Sequence, residues 1–287
     1  MTTLPVPNVT SIADDIARAL SEDIGSGDVT AQLVPASQQS TARVIARESG
    51  ILAGRAWVEA VFATLSAELS LQWRLNDGDR FLADEVLFTI GGPARAILTG
   101  ERTALNFLQT LSATATITRQ YVDAIAGTQT VITDTRKTLP GLRQAQKYAV
   151  RCGGGHNHRI GLYDGILIKE NHIAAAGGIV QAIIAARRLQ AGVPLMTEAE
   201  TLAEAQAALD ADVDLVLVDD FSMDDIKTAV AWTRSHRANG GRTLIEYSGG
   251  ATLETIRALA ETGVDRIAVG ALTKHVRAID LSMRIQH

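Results

Sequence analysis

Residues 135–159, TRKTLPGLRQAQKYAVRCGGGHNHR, concentrate cationic side chains within a chain that is acidic overall. The stretch holds six Arg or Lys, two His and no Asp or Glu, whereas the formal net charge of the 287 residues is −5. Ammonium and guanidinium groups bind carboxylates and phosphates, and the planar guanidinium does so through paired hydrogen bonds. The stretch therefore predicts a local site for an anionic ligand.

The cations of this stretch fall into two groups. Arg143, Lys147 and Arg151 recur at i, i+4 and i+8 of a predicted helix, where like charges mildly repel one another. We interpret that stripe as solvated or paired with acids elsewhere. The cations that flank the helix, which we assign to the anion site, are Arg136, Lys137, His158 and Arg159.

A further cation, Arg102, lies in the first turn of a long predicted helix that starts near Thr99. The helix dipole disfavours positive charge at that end by about 0.3 to 1 kcal/mol. Arg102 either pairs with an acid such as Glu101 or binds a ligand carboxylate, for which lysine is a poor substitute.

The second half of the chain repeats a strand–helix pattern. Short apolar runs alternate with helical segments, namely TVITDT, GILIKE, PLMTEA, DLVLVDD, TLIEYSGG and DRIAVGA. Such units predict parallel strands, joined by right-handed crossovers, that close wholly or partly into a barrel. The carboxyl ends of parallel strands share one face, so the polar residues that end these runs converge there. They are Asp134, Arg136, Lys169, Glu170, Glu198, Asp219, Asp220, Glu246, Ser248 and Gly270.

The last two loops of this pattern contain small residues, SGG at 248–250 and VGA at 269–271. Backbone N–H groups in such loops approach a phosphate closely, and the N-terminus of the following helix adds to the attraction. The final two loops of a barrel are also its usual phosphate site. We therefore predict that a phosphate binds there.

The first third reads as mixed α and β structure. Ser11 is predicted to cap a helix that presents Ile12, Ile16 and Leu20 on one side. A helix through WVEAVFATL is predicted among short strands in TARVIARE, LSLQWRL, DRFLADEVLFTI and ARAIL. Together these segments predict a small sheet with helices.

Composition limits the classes of protein that the chain can belong to. The sequence pI of about 5.7 argues against a general nucleic-acid binder. Cys152 is the only cysteine, so no intrachain disulfide forms, and it closes an apolar helix face, which favours core packing over a nucleophilic role. The sequence shows neither a secretory leader nor a membrane span, and we expect a cytoplasmic protein.

Three long motifs closely resemble quinolinate phosphoribosyltransferases, and the likeness runs from EDIGSGDVT to the end of the chain. The motifs are DTRKTLPGLRQAQKYAVRCGGGHNHRIGLYDGILIKENHI, GERTALNFLQTLS and VDRIAVGALTKHVRAIDLSMR. The resemblance implies an N-terminal α/β sandwich domain over 1–115. It also implies an open seven-stranded α/β barrel, TIM-like, over 116–275, with 276–287 returning to the first domain.

The resemblance also implies a reaction of NAD biosynthesis. Phosphoribose passes from phosphoribosyl pyrophosphate to the ring nitrogen of quinolinate with decarboxylation, which gives nicotinate mononucleotide, pyrophosphate and CO₂. No organic cofactor, nucleic acid or membrane is implied. The family's partners are its two substrates, Mg²⁺ and a second subunit, because its homodimer completes each site with an arginine that matches Arg102.

Site residues follow by motif match. The dicarboxylate pocket matches Arg102, Arg136, His158 and Arg159, and the 5′-phosphate loops match Ser248, Gly249, Gly250 and Gly270. Catalytic roles match Lys137, Lys169, Glu198 and Asp219, and the last two also match the family's acidic pair for Mg²⁺. The chain departs from the family at Met196, where Glu is usual, and at Asp220, where Asn is usual.

Three other functions were weighed from the residues. Lys169 at a strand end is also what a Schiff-base aldolase uses. DLVLVDDFS superficially resembles the pyrophosphate motif of the other phosphoribosyltransferase fold, but SMDDIKTAV then predicts a helix and not a phosphate loop. An RNA-binding surface over 135–159 is disfavoured because Tyr148 is its only aromatic residue.

Overall fold

A computed structural model describes residues 8–286. Residues 1–7 and His287, which were both predicted to belong to the first domain, lie outside the described residues. The helices are α1 (Val9–Ile24), α2 (Arg55–Leu65), α3 (Ala94–Ala124), α4 (Arg143–Cys152), α5 (Glu170–Ala176), α6 (Ile179–Arg188), α7 (Leu202–Asp210), α8 (Met223–Ala238), α9 (Ile256–Glu261) and α10 (Ala271–Lys274). The strands are β1 (Gln39–Ala46), β2 (Gly50–Ile51), β3 (Ser70–Trp73), β4 (Arg80–Phe81), β5 (Val86–Pro93), β6 (Val131–Thr133), β7 (Ile166–Ile168), β8 (Leu195–Ala199), β9 (Leu215–Asp219), β10 (Leu244–Ser248), β11 (Arg266–Ala268) and β12 (Leu281–Gln286).

The chain forms two compact units that interleave in sequence. The first unit takes the described residues as far as Arg119, the segment Thr138–Gly154 and the residues from Ala271 onward. The second takes Gln120–Lys137 and Gly155–Gly270. The whole is a mixed α/β fold with a separate N-terminal small domain. No helix between Asn8 and Gln286 combines the length and the apolar character needed to cross a bilayer.

The first unit is built on a four-stranded antiparallel sheet in the order β12-β1-β5-β3. Val44 at its centre faces Met283 of the C-terminal strand on one side and Phe88 on the other. The short strands β2 and β4 pair separately. Helices α1 and α2 pack with this sheet, and Trp57 and Phe62 are fully buried in the shared core.

Two sequence predictions in this unit were wrong in detail. Ile12, Ile16 and Leu20 are buried along one side of α1, as predicted, but the cap is Asn8, whose side chain accepts the N–H of Thr10, and Ser11 lies inside the helix. The ARAIL segment is not a strand but the first turns of α3. The Ala, Arg and Leu residues of this segment favour helix. Gly91, Gly92 and Pro93, which were predicted to form a turn, are the last three residues of β5.

Cys152 at the end of α4 packs in the core of the first unit, which confirms the structural interpretation of this residue. Its surface is 2% exposed. Tyr148, one turn earlier, packs against the Trp57 ring with centroids 5.7 Å apart and donates to Asp77 Oδ2 at 2.7 Å. Burial, together with the nearby Asp77 carboxylate, raises the pKa of Cys152 to about 12.

We expect the Cys152 thiol to be unreactive toward disulfide reagents in the folded protein. At pH 9 a thiol with a pKa of about 12 is ionised to roughly one part in a thousand, whereas in the unfolded chain about half is thiolate. Ellman's reagent should therefore label almost no thiol in native protein at pH 9 and one thiol per chain in guanidinium chloride. Rapid labelling of native protein would contradict this burial.

The second unit contains a six-stranded, all-parallel sheet in the order β6-β11-β10-β9-β8-β7. The six apolar runs predicted as strands all form strands of this sheet. The seventh strand is not confirmed, because beside β6 the described residues show only a single parallel bridge between Thr133 and His156. Helices α6, α7 and α8 contribute Ile183, Leu209 and Ile226 to the interior.

Candidate active site

Polar side chains gather at the carboxyl ends of the parallel strands, as the sequence predicted. Glu198 is the fourth residue of β8, and Asp219 ends the neighbouring strand β9. Ser248 ends β10 opposite Asp219, and Lys169 directly follows β7. Because all of these strands run in the same direction, the four side chains start from one edge of the sheet.

Lys169 and Glu198 form the most direct contact of this edge. The ammonium Nζ lies 2.6 Å from Glu198 Oε1, with the lysine side chain 43% exposed and the glutamate side chain 11% exposed. Burial raises the pKa of Glu198, and the nearby Asp219 raises it further, while Lys169 opposes both effects. Lys169 is therefore the group that favours the ionised form of this carboxylate.

Arg136 and Arg159 lie close to each other in the same unit. The pKa of Arg159 is lowered, first by burial and then by the charge of Arg136, while Asp164 and Glu198 act in the opposite direction. The Arg159 guanidinium also donates to the carbonyl oxygen of Gly165 at 2.9 Å. Two partly buried like charges close to each other attract a dianion.

The two small-residue loops have the geometry of close backbone approach. Gly249 has φ +137°, and a Cβ there would lie 2.3 Å from Asp220 Oδ1, so a side chain does not fit. Asp220 is itself left-handed, at φ 52°, and its N–H donates to Ser248 O at 2.9 Å. In the other loop, a Cβ on Gly270 would lie 3.3 Å from Lys137 Cδ, which places Lys137 beside that glycine.

His158 and Glu246 meet in the interior of the second unit. His158 Nε2 lies 3.5 Å from Glu246 Oε1, and Arg266 Nε lies 3.4 Å from Glu246 Oε2. Glu246 was predicted to end its strand, but it lies inside β10 with no exposed surface. The sequence analysis missed Arg266 and the inward direction of Glu246. A charged residue between the apolar Ile245 and Tyr247 was the available signal.

A cavity of about 460 Å³ opens next to this cluster. It is bordered by the residues that begin or precede four strands, namely Pro194, Asp214, Leu244 and Arg266. His158, Arg159 and Met196 also line it. Arg159, whose pKa is affected by Arg136 and Glu198, therefore also lines a cavity at the amino ends of these strands.

The remaining predicted cations lie in the first unit. Arg102 is an exposed residue of α3, and its neighbour Thr103 bonds to Asp23. The α4 stripe was interpreted as solvated or paired with acids elsewhere, and for Lys147 the first alternative is wrong because the residue is 2% exposed. Tyr148 is 4% exposed, so the one aromatic residue of the proposed RNA-binding surface is unavailable for stacking.

The two departures from the family pattern have different surroundings. Met196 is buried in β8, and a Cβ on Gly165 would lie 2.6 Å from its methyl carbon, so the thioether fills the space that the glycine leaves. Asp220 is exposed at the turn after β9. An aspartate tolerates the left-handed backbone there as asparagine does.

Glu198 and Asp219 are the pair to test for a magnesium site. Among residues 8–286 no group of three or more His, Cys, Asp and Glu side chains gathers to hold a metal. Mg²⁺ usually takes one or two protein carboxylates and completes its coordination with water and substrate phosphates. Glu198 and Asp219 lie close enough to affect each other's charge, so two carboxylates fit that pattern.

The alternative functions are less well supported by this geometry. A Schiff-base lysine is activated by an apolar pocket or by a second cation, whereas Lys169 is 43% exposed and paired with a carboxylate. After DLVLVDDFS the chain enters α8, capped by Ser222, which accepts the N–H of Asp225 at 3.2 Å. No phosphate loop of the other phosphoribosyltransferase fold follows there.

Comparison with known proteins matches both parts of the chain to one family. Residues 28–112 match the quinolinate phosphoribosyl transferase N-terminal domain, and residues 114–284 match the C-terminal domain. The nicotinate-nucleotide pyrophosphorylase [carboxylating] of Mycobacterium leprae is 43% identical over 277 residues, which cover 94% of this chain and 95% of that protein. The probable enzyme of the same name from Bacillus subtilis is 42% identical over 265 residues, covering 92% and 90%. The solved nicotinate-nucleotide pyrophosphorylase of Francisella tularensis superposes with a TM-score of 0.91 at 43% identity, covering 99% and 98%.

Proposed function

Because the chain belongs to the quinolinate phosphoribosyltransferase family, we propose that it converts quinolinate and phosphoribosyl pyrophosphate into nicotinate mononucleotide, pyrophosphate and CO₂, a step of NAD biosynthesis. The main structural support for this proposal is the arrangement of charged residues in the second unit. The Lys169–Glu198 ion pair and Asp219 lie at the carboxyl edge of the parallel sheet, in the same unit as the close cations Arg136 and Arg159.

The cations account for the binding of quinolinate. Arg136 and Arg159 supply planar guanidinium groups, which match carboxylates through paired hydrogen bonds. The pKa of Arg159 is lowered first by burial and then by the charge of Arg136, and a bound dianion offsets both effects. Lys137, beside Gly270, serves the anionic groups of the second substrate.

The carboxylates account for the transfer step. The ring nitrogen of quinolinate attacks C1′ of the ribose as the bond from C1′ to the pyrophosphate oxygen breaks, and positive charge develops on the ribosyl centre. Fixed negative charge from Glu198 and Asp219 stabilises that centre without reorganisation. We propose that the same two residues hold Mg²⁺, which when bound neutralises charge on the departing pyrophosphate.

Decarboxylation follows from the charge that the transfer creates. Once the ring nitrogen carries ribose, it is cationic. The bond from the adjacent ring carbon to its carboxylate breaks, CO₂ leaves, and the electron pair on that carbon is stabilised by the cationic nitrogen until a proton is taken up. The enzyme supplies orientation and a cationic surround for this step.

The small loops account for the 5′-phosphate. Ser248, Gly249 and Gly250 form a turn in which both glycines have positive φ, +137° and +55°. With Gly270 in the next loop, they offer backbone N–H groups to a phosphate. Lys169, exposed for 43% of its side chain, is proposed to contact substrate while it holds Glu198.

Several finer features remain proposals. We propose a homodimer in which Arg102 of the partner subunit completes the quinolinate pocket, which agrees with the exposure of Arg102 on α3. The open seven-stranded barrel is supported by the Thr133–His156 bridge, which marks where a further strand would pair. The domain bounds 1–115 and 116–275, the return of 276–287 and a cytoplasmic location stay predictions.

The activity is tested with purified protein, Mg²⁺, quinolinate and phosphoribosyl pyrophosphate, followed for ¹⁴CO₂ from labelled quinolinate and for nicotinate mononucleotide by chromatography. We expect both products in equal amounts. Nicotinate in place of quinolinate should give none, because it lacks the second carboxylate. Product from neither substrate, or from nicotinate alone, would overturn the proposal.

A mixing experiment tests the shared site. Arg102→Ala and Glu198→Gln should each be nearly inactive alone. If Arg102 acts across a two-fold interface, subunits mixed after mild unfolding should regain about a quarter of wild-type activity, because half of the dimers are mixed and each mixed dimer has one intact site. No recovery, with mixed dimers verified by mass, would place Arg102 in its own subunit's site.

A further inference from the structure

The segment that carries His158 and Arg159 begins beside the end of β6, where two backbone hydrogen bonds fix it. His156 N–H donates to Ile132 O at 2.8 Å, and Asp134 N–H donates to His156 O at 3.1 Å. These two bonds start a parallel ladder, in which hydrogen bonds recur evenly along the pair. A regular continuation would use the main-chain carbonyl of Asp134 as the acceptor for the N–H of His158.

The side chain of Asp134 interrupts this ladder. The N–H of His158 donates to Asp134 Oδ1 at 2.9 Å, and the side-chain amide of Asn157 donates to Oδ2 at 2.6 Å. Asp134 has no exposed surface, and both of its carboxylate oxygens act as acceptors. The carboxylate therefore lies between two main chains that a regular pair would bring into direct contact. This separation accounts for the single bridge that the described residues form beside β6.

Strand β11 and the residues after it support both sides of this contact. The main-chain carbonyl of Asn157 accepts Arg266 Nη2 of β11 at 3.3 Å. On the other side, Thr133 O accepts the N–H of Val269, which directly follows β11, at 2.9 Å. Because both main chains are bonded to the same neighbour, the Asp134 side chain sets the distance between them.

Each of the two segments, 134–137 and 156–159, carries cations assigned to the quinolinate pocket. Arg136 follows Asp134 by two residues, and His158 and Arg159 directly follow Asn157. The pKa of Arg159 is lowered first by burial and then by the charge of Arg136, so the two guanidinium groups lie close enough to repel each other. The hydrogen-bonded carboxylate of Asp134 joins the two segments against this repulsion.

We propose that Asp134 and Asn157 are positioning residues of the quinolinate pocket. Their side-chain contact sets the separation between segments 134–137 and 156–159, and the proposal rests on the proposed function for its substrate. A rigid dicarboxylate requires binding groups that are placed to within about 0.5 Å, so a change in this separation weakens the binding of quinolinate. The motif match gave neither Asp134 nor Asn157 a role.

A reciprocal exchange of the two side chains tests this role. In Asn157→Asp, two carboxylates face each other across the 2.6 Å contact and repel, which drives the segments apart. In the double variant Asp134→Asn/Asn157→Asp, the amide introduced at position 134 donates to the new carboxylate, and its oxygen still accepts the N–H of His158. By isothermal titration calorimetry, the quinolinate Kd should rise roughly 10- to 100-fold in the single variant and return to within about 3-fold of wild type in the double variant.

Two further measurements separate positioning from a general structural defect. The Kd for phosphoribosyl pyrophosphate should change much less than the quinolinate Kd in Asn157→Asp. The matched control is Asp265→Asn, which alters another carboxylate of the second unit that accepts a backbone N–H, that of Ile245 at 2.8 Å. This control should lower the melting temperature and leave the quinolinate Kd unchanged.

Three results would overturn the proposal: an unchanged quinolinate Kd in Asn157→Asp, an equal loss of affinity for both substrates, or no recovery in a double variant that melts like the wild type. If Asn157→Asp does not fold, Asn157→Ala removes the amide donor without adding a charge, and an unchanged quinolinate Kd in that variant contradicts the proposal equally. A wild-type protein that binds no quinolinate would instead refute the proposed function. The recovery of the melting temperature in the double variant would still report the contact itself.

Discussion

Replacing Arg136 with alanine should weaken quinolinate binding by about 2 to 5 kcal/mol, the range for truncating one partner of a desolvated charge pair. This corresponds to roughly 30- to 5,000-fold in Kd. Arg136 lies close enough to Arg159 to lower its pKa. In the proposed pocket, removal of either guanidinium leaves a substrate carboxylate without its partner. Isothermal titration of quinolinate into wild type and variant measures the difference directly.

The matched control is Arg188→Ala, which removes the same side chain from an exposed position of α6. Its quinolinate affinity should equal that of the wild type. The affinity of Arg136→Ala for phosphoribosyl pyrophosphate should change much less than that for quinolinate. An unchanged quinolinate Kd in Arg136→Ala would remove this residue from the dicarboxylate pocket.

The second large effect is expected for Glu198→Gln, which keeps the shape of the side chain and removes its charge. Removing one fixed electrostatic group from a transition state typically lowers kcat by about 10²- to 10³-fold. The loss should be larger in kcat than in the KM for either substrate, because the ribosyl charge that we propose Glu198 stabilises exists mainly in the transition state. Initial rates at saturating substrates give the comparison.

The pH profile supplies a signature for the same residue. Burial raises the pKa of Glu198 above its usual value of 4.5, so the ionised form is lost as the pH falls through that raised pKa. The wild-type kcat/KM, which reports ionisations of the free enzyme, should therefore decline on the acid side at a pH above 4.5, and this limb should be absent from Glu198→Gln. Glu261→Gln, at an exposed ion pair on α9, should leave both rate and profile unchanged. An acid limb that persists in Glu198→Gln would assign it to another group.

Much of the second unit could be predicted because each strand is an apolar run bounded by polar or glycine residues. The carboxyl-edge positions of Lys169, Glu198 and Asp219 follow from the shared direction of parallel strands. The catalytic roles proposed for these three residues come from the resemblance of the motifs, because a charged residue at a strand end does not by itself indicate a reaction. Their proximity, such as the 2.6 Å contact between Lys169 and Glu198, required the fold.

Other features depended on tertiary contacts that no local pattern records. Periodicity placed Lys147 on a charged stripe, but packing in the first unit buries it. ARAIL alternates like a strand, yet its residues favour helix and continue into α3. The sequence predicts Glu246 at the end of a strand. In the structure Glu246 lies inside β10, opposite Leu217 of β9 and Arg266 of β11.

The interleaving of the two units limits how the molecule can be taken apart. Strand β6 is followed by Thr138–Gly154, which folds with the first unit, before the chain resumes the parallel sheet. A gene fragment that encodes the second unit as one continuous piece must carry α4 without the partners that bury Ala145, Ala149 and Cys152. Such a fragment would expose an apolar helix face and aggregate, so exchanging the second unit between relatives requires grafting at four junctions instead of two.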